Sequence, residues 1–195
     1  MSTPGPKPLR ADARRNRERL LDVAVRAFSH DGPDVTLDAI AKEAGVGIGT
    51  LYRHFPTREA LIEAAYRNEL VKLCDVATEL LKEMPPDVAL RAWMDRAAGY
   101  LATKRGMADA LRVVIAAGAN PYENSRDLLI GAIGTLLGAG VEAGILRGDV
   151  TAEDLLVGMN GICLATVEPD RREQAGRLLD LLMDGLRHAE AGATA

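Results

Sequence analysis

The sequence predicts an all-α fold of about nine helices, and three observations predict it. Apolar residues recur at three- and four-residue spacing along most of the chain, the period of one helix face. Helix punctuation separates these runs: Asp31-Gly32-Pro33, Gly45, Pro56-Thr57, Pro85-Pro86, Gly106, Gly144 and Pro169. No stretch reads convincingly as a strand. The apolar fraction of 48% suffices for a real core, and with aromatics at only 4% that core is mainly Leu, Ala, Val and Ile.

Taken in order, residues 1–10 (MSTPGPKPLR) are proline-rich and read as a flexible arm. A helix over 11–30 carries the stripe Leu20, Leu21, Ala24, Ala27 and Phe28. Two short helices follow within residues 36–54. A long fourth helix over 57–82 places Leu61, Ile62 and Ala65 on the head, and Leu70, Leu73, Val76, Leu80 and Leu81 in a body. Helices over 87–103 and 107–117 come next, then a loop over 118–125 (GANPYENS). Ser125 is the expected cap of a helix over 125–143, whose Gly131, Gly134, Gly138 and Gly140 would let a neighbouring backbone approach. Thr151 and Asp154 form a capping-box variant for a helix over 152–167, and Pro169 opens a last helix to about 188. The organisation is therefore an arm (1–10), a small head (11–56), a larger helical body (57–188) and a frayed tail (189–195).

The specific signal lies in residues 36–58, TLDAIAKEAGVGIGTLYRHFPTR. Thr36 can cap a helix whose Leu37, Ile40, Ala41 and Ala44 share one face. Gly45 can end it in a left-handed conformation. A second helix over 47–54 would bury Leu51 and Phe55 and expose the rest. Two helices joined by a tight glycine turn are a helix-turn-helix, which sets its second helix in the major groove of duplex DNA. Gly47 and Gly49 weaken a helix by about 1 kcal/mol each relative to alanine, which makes sense where the backbone must approach another surface. Thr50, Tyr52, Arg53 and His54 can all donate to phosphates or base edges. Thr57 and Arg58 start the next helix, where free N–H groups favour an anion. Six Lys and Arg fall between Lys7 and Arg19, and Arg14 and Arg15, nearest the first helix, are its candidate backbone contacts.

GVGIGTLYRHFPTREAL resembles the core signature of the tetracycline-repressor (TetR) family of bacterial transcriptional regulators, over roughly residues 14–70. The resemblance implies that Thr50 and Tyr52 grip phosphate, often joined by His54. It implies that Ile48, Gly49 and Arg53 face bases. The family often has a polar residue where this chain has Ile48, which can touch only a thymine methyl, so Arg53 is the candidate guanine contact. Plainer readings stand beside these: Tyr52 closing the small core, His54 meeting the helix dipole, Thr50 as a helix residue, and a solvated start for Arg14 and Arg15.

In the body, Tyr66, Trp93, Met94, Tyr100 and Met107 are candidates to line an apolar cavity, although such residues at helical spacing also make ordinary core. The resemblance implies a small-molecule effector of apolar or amphipathic character, release from DNA on binding it, and repression rather than activation. It also implies that the last two long helices pair with their copies in a four-helix bundle. Leu155, Leu156, Met159, Ile162 and Cys163, with Leu178, Leu179, Leu182, Met183 and Leu186, supply wide apolar faces for a C2 homodimer. Two recognition helices about 34–36 Å apart would read a palindromic operator in double-stranded DNA.

Charge and motifs narrow the function classes. Net charge is −4, but residues 1–60 hold 10 Lys and Arg against 8 acids, and residues 61–195 hold 14 against 20. A net +2 head on a −6 body suits a DNA-binding end and a body that stays off DNA. Cys74 and Cys163 form no CxxC and read as buried free thiols. No apolar run approaches the ~20 residues of a membrane span, and no apolar signal core opens the chain, which predicts a cytoplasmic protein without membrane partners. There is no HExxH, no Cys/His ligand cluster, no GxSxG and no phosphate loop, so no catalytic residue, metal or cofactor is expected. The alternative function is an adaptor whose helix-turn-helix fold binds protein; a helical enzyme is the remote one.

Overall fold

A computed structural model describes residues 7–187 and gives nine α-helices among them. They are α1 Lys7–His30, α2 Leu37–Glu43, α3 Ile48–His54, α4 Arg58–Glu83, α5 Pro86–Gly106, α6 Ala108–Ala116, α7 Ser125–Glu142, α8 Ala152–Ala165 and α9 Arg172–Leu186. A 3-10 turn, Pro169–Arg171, precedes α9. Extended pairing among the described residues is limited to an isolated bridge between Leu146 and Arg187. The fold is all-α, as expected. The largest boundary difference is at α1, which begins at Lys7, so residues 7–10 of the expected arm are helical. Pro8 falls in the first turn, where a missing N–H breaks no helical bond. The rest of that arm and the 189–195 tail lie outside the described residues.

Contacts divide the chain into two units. The first holds residues up to Glu69 and Thr103–Pro121, and the second holds Leu70–Ala102 and the chain from Tyr122 on. The expected head–body boundary at residue 56 therefore lies inside the first unit. α4 and α5 each contribute residues to both.

In the first unit, α1, α2 and α3 contact one another pairwise. Their buried residues are Leu20, Leu21, Ala24, Phe28, Ile40, Ala41, Leu51 and Phe55, each at most 5% exposed, joined by Leu61, Ile62 and Ala65 of α4. Full burial of each large side chain contributes about 1.5–3 kcal/mol, and the stripe on α1 is the one its periodicity predicts. An ion pair, Arg26 to Glu43 at 3.1 Å, crosses from α1 to α2 on the exposed side. At the same end of α1, a Cβ added to Gly106 would stand 3.0 Å from the Ser29 Cβ and 3.1 Å from its carbonyl oxygen. A side chain there would force the end of α5 away from α1. Arg67 donates to the Asn120 carbonyl at 3.2 Å, tying α4 to the segment after α6.

The second unit is held by long helices and directed ties between them. The Trp93 indole N–H donates to the Leu73 carbonyl at 2.8 Å, fixing α5 to α4. Arg91 of α5 donates to Asp180 at 2.7 Å and to the Gly176 carbonyl at 3.3 Å, both on α9, and pairs with Asp95. Partial burial works against the Arg91 charge, but the hydrogen bonds and charges of Asp95 and Asp180 outweigh it and raise its pKa. Arg187 reaches Asp87 at 3.1 Å. α8 starts with the expected capping box: the Thr151 hydroxyl accepts from the Asp154 N–H, and the Asp154 carboxylate accepts from the Thr151 N–H at 3.0 Å. The Thr151 hydroxyl also donates to that carboxylate at 2.6 Å, and this bond first, then the one from the Thr151 N–H, holds the Asp154 carboxyl below its ordinary pKa.

Two expectations about α7 are corrected. Ser125 does not cap it. The residue before the helix is Asn124, in the left-handed region at φ 60°, and the buried Ser125 hydroxyl has no hydrogen-bond partner. Nor do the α7 glycines all receive a neighbour: space is open beside Gly131, Gly134 and Gly138, and only Gly140 is covered, by the Leu146 side chain. The thiols also differ: Cys163 is buried but Cys74 is half-buried. Burial, then the charge of Asp75, pushes the Cys74 thiol up.

Candidate nucleic-acid interface

The turn between α2 and α3 is built by glycine and by caps. Thr36 accepts from the Ala39 N–H at 3.2 Å and starts α2. Gly45, at φ 68°, takes the left-handed conformation that ends it. Gly47 then leads into the seven residues of α3. Because Leu51 is fully buried and Phe55 nearly so, the rest of α3 faces outward. Tyr52 is 49% exposed and Ile48 37%, so half of the Tyr52 surface is open to a partner. Gly47, Gly49 and Arg53 are exposed, and Thr50 and His54 are half-buried. A Cβ added at Gly47 or Gly49 would meet nothing within 4 Å, so neither glycine answers to an internal packing need.

Three features were not legible in the sequence. First, Arg53 donates to the Thr50 hydroxyl at 2.8 Å, so two predicted contact residues hold each other. Second, an open hollow of about 600 Å³ lies beside α3, lined by Thr36, Leu37, Asp38, Ile48, Tyr52, Pro56, Thr57 and Arg58. Thr57 accepts from the Ala60 N–H at 3.1 Å, capping α4 at the edge of that hollow. Third, the Arg17 guanidinium of α1 sits 5.3 Å from the centre of the Phe55 ring, at the end of α3.

The other predicted basic residues differ in placement. Arg14 and Arg15 are strongly exposed and pair on their own helix with Glu18 and Asp12. Arg58, although it lines the hollow, is held by the chain: its guanidinium donates to the carbonyls of Pro33 and Val35 and lies 5.7 Å from the centre of the Phe28 ring. That correction has a physical cause. Those two carbonyls end in a loop rather than a helix, and a forked donor satisfies both.

The chain's sequence matches the pattern of the TetR bacterial regulatory proteins over residues 20–65, and that of the SbtR-like transcriptional-regulator C-terminal domain over residues 85–188. The second match alone covers more than half of the chain. The chain belongs to the TetR family. It is similar to a TetR transcriptional regulator from Streptomyces coelicolor, 54% identical, with a TM-score of 0.84 over 88% of this chain and 98% of that one. A TetR regulator from Mycobacterium vanbaalenii is 34% identical, with a TM-score of 0.76 over 92% of this chain and 99% of that one. A helix-turn-helix-type transcriptional regulator of Staphylococcus aureus is 38% identical over 63 residues, which span 32% of this chain and 34% of that protein. The chain is thus a TetR-family transcriptional regulator with a helix-turn-helix DNA-binding domain. No described helix is long and apolar enough to cross a membrane.

The candidates in the rest of this TetR-family chain fall as follows. Tyr66 and Met107 lie in the first unit, and Trp93, Met94 and Tyr100 in the second; all five are at most 8% exposed. Trp93 in particular is a tie between helices, its N–H satisfied by Leu73. Of the ten predicted interface residues, Leu155, Leu156, Met159, Cys163, Leu179, Met183 and Leu186 are buried within the chain itself. Ile162, Leu178 and Leu182 are half-buried. The apolar residues that α8 and α9 present outward are Val157, Leu164 and Leu181, at 65%, 69% and 66% exposure. Both sides of each helix are apolar in sequence, so which side faces out of the chain was not legible there.

Proposed function

We propose that this TetR-family member binds a palindromic operator as a homodimer, represses transcription there, and leaves DNA when a small apolar or amphipathic effector binds its body. The observation that carries the reading is the outward face of α3, where Ile48, Gly49, Tyr52 and Arg53 are exposed beside two glycines with free space over them. A groove wall can approach such a backbone closely. Thr50 and Tyr52 would hold phosphates, with Thr36 and Thr57 at the edges of the hollow, and Arg53 would exchange its bond to Thr50 for a guanine edge. Val157, Leu164 and Leu181 are large apolar side chains facing out from α8 and α9. Exposed apolar side chains of that size on two adjacent helices support a C2 interface there. α4 contributes residues to both units, so an effector that favours one position of its second half biases the first half, where Thr57 stands. The site of action is the cytoplasm.

The test is selection of bound duplexes from a random pool by the purified protein. A recovered inverted repeat supports the reading. Absence of duplex binding even at low salt, where phosphate contacts are strongest, would sink it in favour of an adaptor that binds protein.

A further inference from the structure

Arg58 stands directly after Thr57 at the start of α4, where a free cation would meet phosphate. Arg58 lines the hollow, but its guanidinium is engaged by the chain's own carbonyls. Nη1 donates to the Pro33 carbonyl and Nη2 to the Val35 carbonyl, 25 and 23 residues earlier in the chain. The Phe28 ring lies 5.7 Å from its carbon centre, so the group is enclosed by an aromatic face as well. A planar fork serves two carbonyls at once, and a lysine ammonium at the same place does not reproduce that geometry. The gripped carbonyls come just before Thr36, whose hydroxyl caps α2. Arg58 itself follows Thr57, whose hydroxyl caps α4. Thr36, Thr57 and Tyr52 line one hollow.

We infer that Arg58 is a positioning residue for DNA binding: by holding the 33–35 segment it sets the span between Thr36 and Thr57, and it makes no phosphate contact itself. This rests on the reading of the hollow as a phosphate seat. The groups it positions are the neutral hydroxyls of Thr36 and Thr57, so Arg58 affects affinity without contributing a released counterion.

The test uses the full chain and a random-sequence duplex, with affinity measured across a salt series. Arg58→Lys keeps the charge and loses the fork; Arg58→Met keeps much of the apolar stem and loses the charge. Both are expected to bind about tenfold more weakly while folded, as loss of paired charge-assisted hydrogen bonds predicts. The slope of log affinity against log salt is expected to stay at the wild-type value. A phosphate-contacting arginine would behave otherwise: Arg58→Lys would bind like wild type, and Arg58→Met would lower the slope by about 0.9. Thr36→Val supplies the second readout. Its effect on binding should shrink in the Arg58→Met background, because the two residues act through one span. Additive effects, or melting points that fall while the affinity of the folded protein is unchanged, overturn the positioning role. Wild-type protein that binds no duplex overturns the phosphate-seat reading and the inference together. Salt-sensitive wild-type binding with unaltered variants overturns the inference alone.

Discussion

The two units solve the problem of small size in different ways. The first relies on short helices whose ends are individually fixed: Thr36 on α2, Gly45 after it, Thr57 on α4, and the Arg58 fork over the loop at 33–35. The second relies on long helices cross-tied at a distance, through Trp93 to Leu73, Arg91 to Asp180 and Arg187 to Asp87. A region that must present particular atoms to a partner gains from fixed ends, since each cap sets a direction. On the proposed function the second region assembles and responds, and it would gain from broad apolar faces, which are less exact about position. Perturbing each device therefore should give different kinds of loss.

The largest expected effect falls on assembly. Leu164→Glu with Leu181→Glu alters four exposed leucines in a C2 dimer, each worth about 1.5–3 kcal/mol when fully buried. Sedimentation should show monomers where wild type shows dimers, with helicity retained; a persistent dimer would place the interface elsewhere. Trp93→Ala should come next, costing about 3–5 kcal/mol in denaturant unfolding, since it opens a void and removes the indole bond to the Leu73 carbonyl. A loss below about 1 kcal/mol would mean that Trp93 lines a space already open.

Smaller and more specific effects belong to the first unit. Arg53→Ala should relax preference at one base pair by about 1–3 kcal/mol, while Tyr52→Phe and Thr50→Val weaken binding to all duplexes alike. Mobility shifts on matched and mismatched duplexes separate the two patterns, and unchanged affinities would reject these roles. The smallest effect is in acid. The folded-state pKa of Asp154 is lowered, so its capping contribution is complete above the ordinary carboxylate range and is lost as pH falls through the lowered value. An acid titration of stability should show Asp154→Asn losing less than wild type there, the two curves converging at the acid end. Parallel curves would show that the box contributes nothing.

Much of this was legible in the chain because helix ends carry chemical marks. Thr36 and the Thr151–Asp154 box cap where their side chains reach, Gly45 takes the left-handed turn that a missing Cβ permits, and the α1 stripe is where a period of 3.6 puts it. The outward face of α3 was readable because Leu51 and Phe55 fix its rotation. α8 and α9 offered no such contrast: Leu155 and Leu164 look alike in sequence, yet one is buried and the other is 69% exposed. Arg58 was misread for a related reason. Its identity announces a cation, but its direction depends on the Pro33 and Val35 carbonyls, which only the folded loop brings near. Ser125 was misread because Asn124, in a left-handed turn, already stands where a cap would.

Residues 103–121 belong with the N-terminal unit, and Gly106 lies against Ser29 there. Anyone building a hybrid regulator by joining residues 1–69 to a foreign sensor would strip the end of α1 of its covering. The transplantable reader is discontinuous, and a graft that keeps its shape has to carry the later segment, with glycine at 106, as well.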